Sequence, residues 1–385
     1  MKTRLRGSER VIRRSALVLV ALLLIAGCGG SRRPSAKATS TATIGTLVPG
    51  TRPTGTAAFL GPVRQVRAGG ITIGYRQFGS GPPLLLIAGE SSSMVELGPF
   101  LPRSLSRHFR VTEFDNRGVG YSSDQPARPL TIELMADDSA HLLDVLGIRK
   151  ALVVGWSTGG EIALTLAVRH PGKVSALVTS GGTAGGPTTV QPSAKIEAAF
   201  RSSGLSAAGG LLGSLFPAPA RAAAVAYAAG LLTIPPEKVS RQISKRQAQA
   251  EIRFARTNAT YNGLTGIRVP ALITNGALDV MVPPGNARLI ARRIPRARLA
   301  IFAGAAHMMM FQDMNRFVEL VKELAGHPLP RSGSMTVFSR SKTPAITVAT
   351  GLLSRDSEPE TPLIKGGTLT FITPLTFEHE KSKAS

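Results

Sequence analysis

Ala151-Leu152-Val153-Val154-Gly155-Trp156-Ser157-Thr158-Gly159-Gly160 is the stretch from which the fold can be read. Its four leading apolar residues, two of them β-branched, predict a buried strand of a parallel sheet. Glu161 to Arg169 predicts a helix, with Ile162, Leu164, Leu166 and Val168 set among small residues. Between strand and helix lies Gly-x-Ser-x-Gly. A serine in so tight a turn takes strained backbone angles, and its neighbours must be small for the helix to pass close to the strand. Gly155 and Gly159 meet that need, and Gly160 extends it. The turn lifts the Ser157 hydroxyl to the carboxyl end of the sheet, at a helix N-terminus whose dipole and free N–H groups favour negative charge.

The same rhythm extends in both directions. Val63–Val66 and Ile71–Phe78 read as antiparallel strands joined at Ala68-Gly69-Gly70. Pro83–Ile87 is an apolar strand ending in Ala88-Gly89-Glu90-Ser91. Phe109–Phe114 is the next, ending in Asp115-Asn116-Arg117-Gly118-Val119-Gly120-Tyr121-Ser122. Further strands fall at Val174–Thr179, Val269–Thr274 and Ala297–Phe302. The last two run into Asn275-Gly276-Ala277-Leu278-Asp279 and Ala303-Gly304-Ala305-Ala306-His307. Helices are expected at Pro99–Arg107, at Thr131–Leu146 with Thr131 as cap, at Pro283–Ile294 and at Asp313–Leu324. Eight strands alternating with helices predict a mostly parallel, helix-covered sheet. From Thr183 to Gly266 the alternation stops and Ala- and Arg-rich helical runs take over, the last at Pro236–Thr257. That run carries Arg241, Lys245, Arg246, Arg253 and Arg256 against Glu237 and Glu251. Arg246, Arg253 and Arg256 share one helical face, which reads as a basic surface able to meet an anionic membrane.

Placed between that strand and that helix, Gly155-x-Ser157-x-Gly159 resembles the nucleophile elbow of the α/β-hydrolase family. The Asp115–Ser122 string resembles the family's Asp-x-Arg-Gly-x-Gly-x-Ser turn. The resemblance covers about residues 62–325. It implies an eight-stranded, mostly parallel α/β-hydrolase sheet with helices on both faces, and a helical cap inserted at 183–266. It also implies a catalytic triad. Serine is a poor nucleophile at neutral pH and needs a base; His307, after the last strand, stands where the family keeps it. Asp279 closes the preceding strand and would fix the imidazole tautomer. The order Ser157, Asp279, His307 is the family's order. By the same resemblance the oxyanion hole draws one N–H from Thr158 and one from Glu90. Here the chain departs from pattern. Many relatives have His-Gly where Ala88-Gly89 stands, and a hydrophobic residue in place of Glu90. A carboxylate there would repel the oxyanion unless it turns away or is protonated.

The activity implied is cleavage of an ester or related acyl bond through a Ser157 acyl-enzyme, on a small-molecule acyl substrate, with no cofactor and no metal. Three alternatives stay open. One is a perhydrolase like the cofactor-free haloperoxidases. Another is an aminopeptidase-like relative in which Glu90 or cap acids hold a substrate amine. The third is a non-enzymatic, membrane-tethered binding protein on the same scaffold.

The ends of the chain carry other signals. Lys2, Arg4, Arg6, Arg10, Arg13 and Arg14 precede a twelve-residue apolar run, Ser15–Ala26, too short to span a bilayer comfortably. Ile25-Ala26-Gly27-Cys28 resembles the lipobox of bacterial lipoproteins. The expectation is a signal peptide at 1–27, lipidation of Cys28, and a lipid-anchored, extracytoplasmic protein at the cell membrane. Residues 28–61, rich in Ser, Thr, Ala, Gly and Pro, read as a flexible linker. Residues 326–385 read as a mostly disordered tail, with short apolar patches at Met335–Phe338 and Leu369–Leu375. Cys28 is the single cysteine, which excludes an intramolecular disulfide and cysteine-rich metal sites. The net charge of +23 raises nucleic acid as a partner, but with 5% aromatic residues and no nucleic-acid-reading motif none is expected.

Overall fold

The computed structural model describes residues 45–194, 196, 198, 213–326 and 335–338. The expected signal segment, Cys28, the expected linker up to residue 44, most of 195–212 and the expected tail apart from 335–338 lie outside the described residues. Among the described residues no helix is long and apolar enough to cross a membrane.

The expected hairpin forms first. β2 (Arg64–Ala68) pairs antiparallel with β3 (Ile71–Phe78). Gly69 and Gly70 turn the chain with φ of 58° and 80°, the left-handed geometry a two-residue hairpin demands. β4 (Pro83–Ile87), β5 (Arg110–Phe114), β6 (Ala151–Trp156), β7 (Val174–Ser180), β8 (Ala271–Gly276) and β9 (Ala297–Phe302) follow, each within two residues of its expected bounds at the ends that matter for the site. The sheet runs β1-β2-β3-β5-β4-β6-β7-β8-β9-β10, antiparallel as far as the β3–β5 pair and parallel beyond it. All eight expected strands are therefore present, but the count is corrected upward. β10 (Met335–Phe338) adds a ninth strand, parallel to β9, and β1 (Thr46–Leu47) is a two-residue edge strand on β2. Both are too short to show a period of their own and owe their form to the strand beside them.

Alternation along the strands splits the core into two layers. Leu85, Ile87, Val153, Leu177 and Ile273 face one way, under α2 (Ile132–Val145), α3 (Thr158–Arg169) and α7 (Gly285–Arg293). Leu84, Leu86, Leu152, Val154 and Leu272 face the other, under α1 (Phe100–Ser106) and α9 (Met314–Gly326). The expected cap of α2 is there: Thr131 Oγ1 accepts from the Leu134 N–H at 3.0 Å. The inserted segment contributes α4 (Arg221–Leu231), α5 (Arg241–Phe254) and α6 (Ala259–Gly263) between β7 and β8.

Residues 45–61, expected to belong to the flexible linker, are packed. Thr51, Ala57 and Leu60 are buried, and Gly55–Leu60 forms a 3-10 helix. The Thr51 hydroxyl accepts the Val63 N–H at 2.8 Å and donates to the Val48 carbonyl at 2.7 Å. Two apolar anchors, Ala57 and Leu60, in so polar a stretch leave no periodicity to read.

Glu237 also differs from its reading. α5 starts at Arg241, with Ser240 as its cap, so Glu237 lies outside the helix and cannot compensate Arg241 at the helical spacing. Its side chain is fully buried, 3.8 Å from the Arg76 guanidinium, which also lies 3.6 Å from Glu113. Burial, reinforced by the neighbouring Asp115, pushes Glu237 up to about 10. A carboxyl raised in this way keeps its proton in the folded chain at pH values where the unfolded chain has lost it, so stability falls as pH rises from about 4.5 towards 10. Glu237→Gln is expected to flatten that fall by up to about 1.4 kcal/mol per pH unit, measured as urea unfolding at pH 5, 7 and 9. An unchanged slope would mean that Glu237 is ionised in the fold.

Candidate active site

Ser157 links β6 to α3 with φ 56° and ψ −125°, one of only two non-glycine residues with positive φ among the described residues. Such strain persists where surrounding structure enforces it, and it points the side chain out of the strand end. Thr158 begins α3, so its N–H has no carbonyl a turn earlier to bond.

Asp279 follows β8 and His307 follows β9, as their sequence positions imply. The two are brought together: Asp279 Oδ2 lies 2.8 Å from His307 Nδ1, with both side chains buried. Asp279 Oδ1 accepts the N–H groups of Met281 and Val282 at 2.9 and 2.8 Å, which fixes the carboxylate. A carboxylate held this way accepts from Nδ1–H, and Nε2 is left as the basic nitrogen. His307 is joined to the Ser157 turn through Trp156. The indole N–H donates to the His307 carbonyl at 3.1 Å, and the rings lie 5.5 Å apart. β7 runs between β6 and β8, and its exit must leave room. Gly181 provides that room, since a Cβ there would sit 3.1 Å from the imidazole and 3.3 Å from Asp279 Oδ2.

The expected second oxyanion position also borders Ser157. A Cβ on Gly89 would lie 3.1 Å from Ser157 Cβ, which brings the start of the Glu90 loop against Ser157. The loop is strained at Ser91, φ 52°, whose N–H donates to Gln247 Oε1 of α5 at 2.6 Å. One turn further on, Glu251 bonds the Thr158 hydroxyl and shares a hydrogen bond with the Glu90 carboxyl. The Glu90 carboxyl thus has Glu251 as one hydrogen-bond partner. A third acid, Glu161, is buried in the first turn of α3 and accepts from the Thr183 hydroxyl at 2.6 Å. Burial, with Glu90 close by, pushes Glu161 up to about 8. Burial first, then Glu90 and Glu161, holds Glu251 well above the usual carboxylate range.

Glu161 and Gln247 went unrecognised in the sequence, and Glu251 figured only as an acid of the inserted run. Glu161 carried one signal, an acid in the turn directly after the elbow. Gln247 and Glu251 sit four apart on a helix legible only as basic. The basic face needs correction as well. Arg246 pairs with Asp124 and donates to the Arg128 carbonyl at 2.5 Å, and Arg253 donates to the Leu130 carbonyl at 2.6 Å. Two of its three members are thereby tied to the body of the protein.

The family model for the alpha/beta hydrolase fold matches residues 82–213. The chain has the α/β-hydrolase fold. RutD of Caulobacter sp. (strain K31), provisionally named a carbamate hydrolase, is 29% identical over 255 residues, 60% of this chain and 88% of its own. The 2-hydroxymuconate semialdehyde hydrolase of Pseudomonas putida is 29% identical over 279 residues, 67% of this chain and 92% of its own. Among solved structures, the enol-lactonase of Burkholderia xenovorans LB400 matches with TM-score 0.56 and 25% identity, covering 68% of this chain and all of that chain. Hydrolase activity is the class these relatives share.

Proposed function

We propose that this protein cleaves an ester or related acyl bond of a small molecule through an acyl-enzyme on Ser157. The supporting observation is the buried Asp279–His307 hydrogen bond, set beside a serine held at positive φ at a helix N-terminus. Ser157 Oγ attacks the acyl carbon as His307 Nε2 takes its proton. Asp279 stabilises the imidazolium. The oxyanion lies at the α3 N-terminus, with the Thr158 and Glu90 N–H groups as its donors. His307 returns the proton to the leaving oxygen, and water, activated by the same His307, frees the acid. α4 to α6 cover the site and set which acyl groups enter.

Fluorophosphonate labelling of the purified protein, combined with hydrolysis of a p-nitrophenyl ester series, tests the reading. Expected are stoichiometric labelling at Ser157 and turnover that depends on acyl length. An unlabelled Ser157 with no turnover would leave the binding-protein alternative standing.

For the N-terminus we propose signal cleavage before Cys28 and lipidation of its thiol, supported by the run Ile25-Ala26-Gly27-Cys28 in a chain with no other cysteine. Cys28→Ala is expected to abolish partition of the protein into detergent and to change its size on gels. Mature wild-type protein still carrying residues 1–27 would refute it.

A further inference from the structure

The two described residues other than glycine with positive φ are Ser157, at 56°, and Ser91, at 52°. They lie on the two loops that carry the proposed oxyanion donors: Ser157 precedes Thr158, and Ser91 follows Glu90. At Ser157 the strand-to-helix crossing enforces the turn, since Gly155 and Gly159 leave no space between α3 and the strands. At Ser91 no helix crosses directly after the turn. The left-handed region costs an L-residue free energy, which a short polar side chain offsets by bonding locally. Ser91 lacks that offset: its Oγ is buried and has no hydrogen-bond partner among the described residues. Such a conformation persists where the surroundings hold it.

The loop is held from several sides. Asn116 Nδ2 donates to the Ala88 carbonyl at 3.2 Å. Within the loop, the Ser92 N–H donates to the Gly89 carbonyl at 3.3 Å and the Ser92 hydroxyl to the Glu90 carbonyl at 3.2 Å. The inserted segment supplies the hold on Ser91 itself, through Gln247 Oε1, which accepts the Ser91 N–H at 2.6 Å. A backbone donor obliges the amide to present its oxygen. Gln247 Nε2 is then left buried and unmatched among the described residues. Buried polar atoms are rarely left unmatched without a role. Four residues further along α5, Glu251 bonds the hydroxyl of Thr158, a residue that is itself buried. A spacing of four puts Gln247 and Glu251 on one helical face. One helix of the inserted segment thus bonds both loops.

We propose that Gln247 and Glu251 are positioning residues for the oxyanion hole. Gln247 sets the Glu90–Ser91 backbone through the Ser91 N–H, and Glu251 sets the first residue of α3 through the Thr158 hydroxyl. The inference rests on the reading of Ser157 as the nucleophile, with the Thr158 and Glu90 N–H groups as donors. An oxyanion donor acts by being in place before the charge develops, so a small displacement weakens it. Gly89 must be small because it abuts Ser157, and a glycine gives the loop no stiffness of its own. Releasing the Ser91 N–H lets the peptide between Glu90 and Ser91 turn, and the Glu90 N–H turns with the peptide before it. Neither positioning residue has to touch the substrate. Their loss therefore leaves ester binding alone and falls on the transition state, which reads as a lower kcat at nearly constant KM.

The test uses the full chain with Gln247→Met and Glu251→Met, which keep side-chain length and lose the polar atoms. Gln249→Met, at an exposed position of the same helix, is the control. The readouts are kcat and KM on p-nitrophenyl acetate, and inhibition by trifluoroacetone. The carbonyl carbon of that ketone takes the Ser157 oxygen while His307 takes the hydroxyl proton, and the ketone oxygen becomes an oxyanion. Gln247→Met and Glu251→Met are each expected to lower kcat about tenfold or more with KM within about threefold of wild type. Trifluoroacetone should weaken by the same factor as kcat/KM. Gln247→Glu and Glu251→Gln, which keep an oxygen at the same reach, should recover most of the loss, and Gln249→Met should match wild type. Met variants that match the control, a loss confined to KM, or a lower kcat with unchanged inhibition by the ketone overturns the proposal and leaves the hydrolase reading intact. Should Gln247→Met not fold, Glu251→Met decides by the same criteria. If neither folds, the two residues serve stability and the proposal falls. Wild-type protein that neither turns over the ester nor labels with a fluorophosphonate removes the hydrolase reading, and the positioning roles with it.

Discussion

Changing Ser157 to Ala is expected to lower kcat on an activated ester by about 10³-fold or more, and His307→Ala by a similar factor. The two act as one unit, since the hydroxyl without the base is a weak nucleophile and the base without the hydroxyl has nothing to activate. The double variant should therefore be little worse than either single one. Steady-state rates on a p-nitrophenyl ester and unfolding curves measured together check this. Folding should survive Ser157→Ala, because the hydroxyl lies at the strand end and not in either core layer. A Ser157→Ala protein that keeps more than a tenth of wild-type turnover would sink the assignment.

The second large effect is on folding. Gly159→Ala would place a Cβ 2.2 Å from the Ile87 carbonyl oxygen and 2.7 Å from that of Ala88. Gly155→Ala would place one 2.0 Å from the Gly159 carbonyl oxygen. In both cases the obstacle is backbone, so no rotamer change relieves it, and α3 must move away from β4 and β6. The expected cost is about 3 kcal/mol or more, a drop of about 6–12 °C in melting temperature. Gly172→Ala serves as the control: its Cβ would meet nothing within 4 Å, and its stability should stay within about 0.5 kcal/mol of wild type. A Gly159→Ala protein as stable as that control would mean that the elbow is looser than its geometry.

The elbow was legible in the sequence because its causes are local. Strand, turn and helix each follow from neighbours within ten residues, and steric need writes itself as glycine at Gly155 and Gly159. Asp279 and His307 were legible by a weaker route, since strand ends and chain order placed them and only the fold could bring them within 2.8 Å. The packing of residues 45–61 was not legible, because it depends on contacts with residues distant in sequence, such as the Thr54 N–H with the Thr233 carbonyl. The same holds for Met335–Phe338, whose strand exists only against β9. The acids beside Ser157 were hidden for a further reason. Glu90 stood out as a misfit, but one hydrogen-bond partner of its carboxyl, Glu251, lies 161 positions away in a stretch with no motif. Charge along one helix could not reveal that Arg246 and Arg253 hydrogen-bond to backbone carbonyls of the body.

The carbonyl of Leu215, within the inserted segment, accepts from the Met308 N–H at 3.2 Å and from the Gln312 side chain at 2.8 Å. The inserted segment therefore holds the loop that carries His307. On the proposed reading, any movement of the segment to admit a molecule would slacken His307, the base proposed for Ser157. Entry and reactivity would then alternate in time: an open door would coincide with a disarmed nucleophile, and water arriving before the substrate would find little to attack with.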